Sequence, residues 1–199
     1  MPTSRTESRP VVLAISLIVL GVIGFCAAFL LTLDKFTLLE NPNAQLSCSF
    51  SVLIGCAKNL GSWQGAILGF PNPLIGIACW PAVIAVGVAI LAKARFSRWF
   101  WVLFNIGVTA ALVFVVWLIS ESIFVLGVLC PWCMVTWAVT IPTFLAVTLY
   151  NLRSGNIPVP ASVRRTAKTL SGWIPLLTLA SYIIIVILAQ VQLDALNHL

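Results

Sequence analysis

Five long apolar runs restrict what this chain can fold into. A helix needs about 20 mostly apolar residues to cross a bilayer. Five runs without a charged residue approach or exceed that length: 11–33, 74–91, 99–120, 123–149 and 173–192. Only 8% of the 199 residues are charged, against about 25% in a typical soluble domain. A soluble globule and a disordered chain are therefore both excluded, and the sequence predicts an all-α, polytopic membrane protein.

The runs predict a single integral membrane domain over residues 1–199. The fourth run is longer than a bilayer requires, so we expect its helix to begin near Cys130, after a non-polar connection. The first run is too long for the apolar part of a cleaved signal peptide and is interpreted as an uncleaved anchor. Segment 46–60 favours a short helix on the membrane, and segment 153–170 is interpreted as a connecting loop. The predicted spans are 11–33, 74–91, 99–120, 130–149 and 173–192, with an outer loop at 34–73.

The basic residues predict the orientation of these spans. Loops rich in Lys and Arg stay on the cytoplasmic side. Only Lys35 and Lys58 fall on the opposite side. The N-terminus is therefore expected in the cytoplasm and the C-terminus outside, and the net charge of +6 needs no nucleic-acid partner. The nine residues that share the cytoplasmic side are Arg5, Arg9, Lys93, Arg95, Arg98, Arg153, Arg164, Arg165 and Lys168.

Four of the six cysteines fall on the outer side under this orientation. Cys48 and Cys56 lie in the outer loop, and Cys130-Pro131-Trp132-Cys133 begins the fourth span. Disulfides persist on the extracytoplasmic side of a membrane. Cys26 and Cys79 lie within spans, and we expect both to be buried there and to pack as small hydrophobic residues.

The Cys-Pro-Trp-Cys motif indicates thiol–disulfide exchange. The positive end of a helix dipole favours a thiolate, whereas dehydration at the lipid boundary opposes it. Proline suits the first helical turn, and a pair of cysteines three residues apart forms a disulfide that an attacking thiolate opens easily. Two dithiol pairs on one face, Cys48 with Cys56 and Cys130 with Cys133, indicate an electron relay; two purely structural disulfides are the alternative.

A metal centre fits the sequence less well. Zinc takes four ligands, usually Cys or His, and the only histidine is His198 near the C-terminal end. Four cysteines with this spacing would be unusual for zinc or an iron–sulfur cluster. No haem or flavin signature is present, so a lipid-soluble quinone is the expected electron acceptor. Its site requires an apolar cleft with a few hydrogen-bond donors, for which the outer face offers Ser62, Trp63, Phe70, Asn72 and Trp137.

From the first span to the end of the fourth, the chain resembles the vitamin K epoxide reductase family in its bacterial five-span form. The resemblance rests on Cys48 and Cys56 with seven residues between them, on Ser62, on the segment 70–76 and on the motif at 130–133. The joint occurrence of these elements in this order is specific, whereas a lone Cys-x-x-Cys is weak. The family fold is a four-helix bundle around a quinone, capped by the loop between spans one and two; here a fifth transmembrane helix follows.

The resemblance implies a role for each outer cysteine. Cys48 would accept electrons from a reduced thioredoxin-fold (DsbA-like) protein, and Cys56 would pass them on by exchange with Cys130. Cys133 would lie next to the quinone, either menaquinone or ubiquinone. Bacterial members are disulfide-bond oxidases, which implies a multi-pass protein of the bacterial plasma (inner) membrane.

The resemblance also implies roles for quinone-site residues and has one departure. Ser62 and Asn72 would hydrogen-bond or position the quinone. Animal members carry a Tyr four residues after the last cysteine, where this chain has Trp137, which donates only through its indole N–H; this weakens any expectation of vitamin K epoxide turnover. No thioredoxin domain follows the fifth span, so we expect the partner to be a separate protein.

Two alternatives remain at this point. A DsbB-type quinone oxidoreductase has four spans and carries its Cys-x-x-Cys in the first outer loop, which is the reverse of the order here. A non-catalytic transporter or assembly subunit with structural disulfides belongs to a different class. Transporters usually carry charged residues inside their spans, and these apolar runs have none.

Overall fold

The computed structural model describes residues 10–51 and 53–194. Arg5, Arg9 and His198 lie outside the described residues. A 3₁₀ turn at Trp63–Ala66 and a π-helical segment at Glu121–Leu126 supplement the α-helices, and the described part of the chain contains no β-strand. The α-helices are α1 Val11–Glu40, α2 Ala57–Gly61, α3 Pro73–Leu91, α4 Arg98–Ser120, α5 Pro131–Ser154, α6 Ala161–Ser171 and α7 Ile174–Leu193.

Five of these helices are long and apolar enough to cross a membrane, namely α1, α3, α4 with its π-helical extension, α5 and α7. The prediction of an all-α, multi-pass membrane protein is thereby confirmed. Helix α1 continues beyond its predicted span to Glu40, because nothing in 34–40 breaks a helix. It ends where Pro42 disfavours a helical conformation of the residue before it.

Three connecting segments differ from the sequence-based expectations. Segment 153–170 is not simply a loop, because helix α6 begins after Pro160 and continues to Ser171. The described residues of segment 46–60 are mostly irregular and become helical from Ala57 onward. The expected connection at 123–129 continues α4 as a π-helical segment, which ends at Gly127 in the left-handed conformation with φ 66°.

Small residues bring α1 and α3 into close contact. A methyl group on Gly24 would collide with the ring of Trp80, and a Cβ on Gly87 would lie 2.7 Å from the carbonyl oxygen of Ala14. Close approach of this kind is how apolar helices gain packing energy inside a membrane, where no hydrophobic driving force pushes them together. Trp80, which is 7% exposed, is therefore fixed against the first helix.

Helix α7 is joined to α5 through a backbone group that a proline leaves unpaired. Pro142 lies inside α5 and has no N–H, so the carbonyl of Ala138, four residues earlier, lacks its usual helical partner. The hydroxyl of Tyr182 on α7 donates a hydrogen bond to that carbonyl. A polar group that the proline exposes inside the bilayer is thus satisfied by a neighbouring helix.

We predict that Tyr182→Phe destabilises the protein by roughly 0.5–1.5 kcal/mol, the usual range for an interhelical hydrogen bond in a membrane. Tyr150→Phe is the matched control, since the Tyr150 ring packs on Trp101 with 4.7 Å between centroids and keeps that contact without its hydroxyl. Unfolding in detergent, followed by helical circular dichroism, measures both. Equal losses in the two variants would contradict the assignment.

Candidate functional site

The outer loop folds over the end of the helix bundle and carries a buried disulfide. Cys48 and Cys56 are bonded to each other, and they are 1% and 0% exposed. The loop is fastened to the residues before α5 by backbone hydrogen bonds, one of which runs from Gly55 N–H to the Leu129 carbonyl at 3.0 Å. A further bond runs from the indole N–H of Trp132 to the Ser47 hydroxyl at 3.2 Å. These contacts hold the disulfide against the Cys-Pro-Trp-Cys motif.

Cys130 caps the N-terminus of α5 and touches the loop disulfide. Its Sγ accepts a hydrogen bond from the Cys133 backbone N–H at 3.3 Å. The same sulfur lies 3.1 Å from Cys56 Sγ, and both sulfurs belong to residues that are fully buried. Cys130 and Cys133 are free thiols. A free thiol in contact with a disulfide is arranged for exchange.

Asp34 is a buried carboxylate beside the same disulfide. It is 7% exposed, and it accepts hydrogen bonds from the Ser47 N–H at 3.2 Å and the Ser47 hydroxyl at 2.8 Å. Its Oδ2 lies 3.3 Å from Cys48 Sγ. In the sequence Asp34 was only one of several acids on the outer side. Its contact with Cys48, 14 residues later, forms only when the loop folds. No local sequence pattern predicts that contact.

Asp34, Cys48 and Cys56 also bring three potential metal-ligand atoms within 4.8 Å of one another. The two sulfurs are bonded to each other here, and only a thiolate is an effective sulfur ligand. In this oxidation state the group therefore does not match the donor set that a structural zinc ion requires.

Beneath the loop, α1, α3, α4 and α5 enclose a cavity of about 190 Å³. Its walls are mainly apolar, with Leu31, Trp80, Val83 and Phe114 among them, and Cys133 is part of the lining. An engineered apolar cavity of about 150 Å³ holds a benzene molecule, so this space is large enough for a substituted ring. Its polar lining residues are Asn59, Ser62, Gln64, Asn72, Glu121, Ser122, Thr136, Thr140 and Thr143.

Three of the five residues expected at a ligand site line this cavity: Ser62, Asn72 and Trp137. Trp137 is 4% exposed, and its indole N–H is not bound by any acceptor in the described part of the chain. Trp63 and Phe70 lie outside the lining. The Trp63 ring is 67% exposed and packs on Trp117 with 6.1 Å between centroids.

Ser62 and Asn72 use their polar atoms to shape the loop. The Ser62 hydroxyl donates to the Asn59 carbonyl at 2.8 Å and accepts from the Gly65 N–H at 3.3 Å. The Asn72 amide donates to the Gln64 carbonyl at 2.6 Å, and its oxygen accepts from the Ile67 N–H at 3.2 Å. Both residues therefore position the segment that covers the cavity.

Several residues that line the cavity were not predicted from the sequence. Gln64 is 4% exposed and donates to a Glu121 carboxylate oxygen at 3.1 Å. The expectation that Cys26 and Cys79 are buried hydrophobic residues is wrong, because both are exposed. Cys79 faces the cavity, and Cys26 lies on the face of α1 opposite its buried glycines.

A buried disulfide that touches a free Cys-x-x-Cys pair, within a bundle of membrane-spanning helices, defines a membrane thiol–disulfide oxidoreductase. The chain belongs to the vitamin K epoxide reductase family, whose profile matches residues 15–148. The match runs from α1 into α5 and includes the four outer cysteines, whereas α6 and α7 lie beyond it. No curated protein matches the chain in a direct comparison.

We predict that Asn72→Ala loosens the loop over the cavity, because it removes the two side-chain hydrogen bonds across segment 64–72 and leaves the backbone bond from the residue-72 N–H to the Gly65 carbonyl. Hydrogen–deuterium exchange of the amides at 64–69 should accelerate, since exchange reports local opening. Asn43→Ala is the control in the same outer segment, where the exposed side chain contributes no such bond. Unchanged exchange at 64–69 in Asn72→Ala would show that other contacts hold the loop.

Proposed function

We propose that this protein is a disulfide oxidase of the bacterial plasma membrane. It reoxidises a secreted thioredoxin-fold partner and passes the electrons through Cys48 and Cys56, then through Cys130 and Cys133, to a quinone. The observation that carries the proposal is the 3.1 Å contact between Cys56 Sγ and Cys130 Sγ. This contact joins the outer pair to the pair at the cavity, so electrons can pass between them by exchange without a further carrier.

The relay consists of two successive exchanges, each moving two electrons. The partner's dithiol is oxidised to a disulfide while Cys48–Cys56 is reduced to a dithiol. The loop dithiol then returns to a disulfide by reducing Cys130–Cys133, with Cys56 attacking Cys130. The oxidation states in the structure, a loop disulfide beside a free inner pair, match the stage that follows the second exchange.

The cavity fits a quinone headgroup as the final acceptor. Cys133 and Trp137 line it together, so a thiol of the relay and an indole N–H donor belong to the wall of the same cavity. The walls are mainly apolar and include polar side chains, the combination expected of a site for a ring with carbonyl oxygens. A menaquinone or ubiquinone bound there would accept two electrons and two protons. Residues of α3 and α4, including Trp80 and Phe114, would enclose its ring.

A non-catalytic membrane protein with structural disulfides is the alternative. If both pairs were structural, we would expect both to be disulfide-bonded, because a structural disulfide stabilises a protein only while it is oxidised. Only Cys48–Cys56 is closed among the described residues, and Cys130 remains a thiol in contact with it. A free thiol touching a disulfide invites exchange rather than permanence, which favours the relay.

The relay predicts different outcomes for two thiols that line the same cavity. Cys133→Ser should reduce quinone-dependent oxidation of a reduced thioredoxin-fold protein to background, because no inner disulfide can form. Cys79→Ser, on α3, should leave the rate close to that of the unsubstituted protein. Purified variants in detergent, supplied with menaquinone or ubiquinone analogues, provide the assay. Full turnover in Cys133→Ser would refute the relay, and equal loss in both variants would point to damage to the cavity instead.

We further propose that the loop disulfide faces the outside of the cell. Lys93 and Arg95 lie between α3 and α4, and Arg98 begins α4, all at the opposite end of the bundle. Basic residues of this kind mark cytoplasmic loops.

Labelling with a membrane-impermeant maleimide tests this orientation. Asn43→Cys, in the outer loop, should be labelled in intact cells. Ala94→Cys, in the turn after α3, should be labelled only once the membrane is opened. Both positions are exposed, and the parent protein gives the background. The reverse pattern would invert the orientation.

A further inference from the structure

The two sulfurs of the loop disulfide have unlike surroundings. Oδ2 of Asp34 lies 3.3 Å from Cys48 Sγ. Cys56 Sγ has the sulfur of Cys130 at 3.1 Å on its side. One end of the disulfide therefore adjoins a carboxylate, and the other end adjoins the thiol to which electrons are passed.

The charge of Asp34 acts on Cys48 at short range and in a site with little water. The carboxylate is held by two donors from Ser47, a backbone N–H and a hydroxyl, and it is 7% exposed. The two outer-side lysines direct their ammonium groups at backbone carbonyls: Lys35 donates to Leu60 at 2.7 Å, and Lys58 donates to Leu126. Among the described residues, the other titratable groups packed around the disulfide are the thiols of Cys130 and Cys133 at the start of α5.

A thiolate that attacks a disulfide can bond to either sulfur, and the other sulfur then departs as a thiolate. The rate of exchange depends on the basicity of the attacking and departing sulfurs. In the transition state, negative charge therefore resides mainly on these two sulfurs and not on the central one between them. Attack on Cys56 would place that charge on Cys48, next to the carboxylate. Attack on Cys48 places it on Cys56 instead, away from Asp34.

We propose that Asp34 sets the direction of exchange through the loop disulfide by making Cys56 the departing sulfur. In this step the incoming thiolate forms a new S–S bond with Cys48. The Cys48–Cys56 bond breaks, and its electron pair remains on Cys56 as a thiolate. No proton moves, and the negative charge passes from the incoming sulfur to Cys56. The proposal rests on the relay described above and adds a catalytic residue to its first step.

The site of attack can be read directly from the adduct that a thiol forms. The experiment uses the full chain with Cys130→Ser and Cys133→Ser, so that the loop disulfide is the only partner and the adduct cannot pass to the inner pair. Glutathione is the probe, because a small thiol minimises steric preference. After acid quenching and alkylation, peptide mass spectrometry gives the ratio of adducts on Cys48 and Cys56.

The adduct should lie mainly on Cys48, and Asp34→Asn should lower the Cys48-to-Cys56 ratio on the order of tenfold, since it removes a unit charge near one departing sulfur. Asn keeps an oxygen that can accept from Ser47. Asp34→Glu restores the charge and should restore the preference for Cys48. Ser47→Ala removes a hydrogen bond but keeps the charge, and it should also retain that preference.

A second measurement separates charge from shape. In Cys56→Ser, the rate of Cys48 alkylation increases with pH as the thiol ionises. Adding Asp34→Asn should move this increase to lower pH, because the Cys48 thiolate no longer faces a carboxylate. In Cys48→Ser, the profile of Cys56 should move less. An unchanged adduct ratio together with an unmoved Cys48 profile would overturn the proposal. Neither measurement involves a quinone or turnover, so failure here is distinct from failure of the relay, which the Cys133→Ser assay decides.

Discussion

The sulfur–sulfur contact between Cys56 and Cys130 depends on a loop with little regular structure being held against the end of a helix bundle. A free loop of this composition would have no preferred place. Here the bonds from Gly55 to Leu129 and from Trp132 to Ser47 attach it to the start of α5. Each residue of this attachment is the sequence neighbour of one of the four cysteines, so any motion that opens the loop also separates the two cysteine pairs.

The helix that carries the inner pair has its own requirements. Pro131 suits the first turn of α5, where its missing N–H has no partner to lose, whereas Pro142 in the interior leaves the Ala138 carbonyl unpaired. Tyr182 of α7 satisfies that carbonyl, one residue along from Trp137 in the cavity wall. Helix α7 lies beyond the family match, yet it completes the backbone hydrogen bonding of the helix on which the site is built.

The sequence was sufficient for the features that depend on local composition. Apolar length predicted the five spans, and the spacing of the cysteines together with the family motifs predicted the two pairs that meet. Features that depend on tertiary contacts were missed: Asp34 beside Cys48, Gln64 bonded to Glu121, and Cys79 in the cavity wall. These residues are far apart in the chain or lie on a helix face that hydrophobicity does not distinguish, because cavity and lipid are both apolar.

The length of α1 explains how a carboxylate reaches the disulfide. Its 30 residues, at 1.5 Å each, extend about 45 Å, whereas the hydrocarbon core is about 30 Å thick. The last turns therefore project past the apolar layer, and Asp34 lies at this boundary, where Ser47 donates two hydrogen bonds to its carboxylate. A charge on a long helix of the bundle has its place set by helix packing and not by the loop. Cys48 and Cys56 therefore differ in their surroundings because the loop packs with Cys48 beside Asp34 of α1 and Cys56 beside Cys130 at the start of α5.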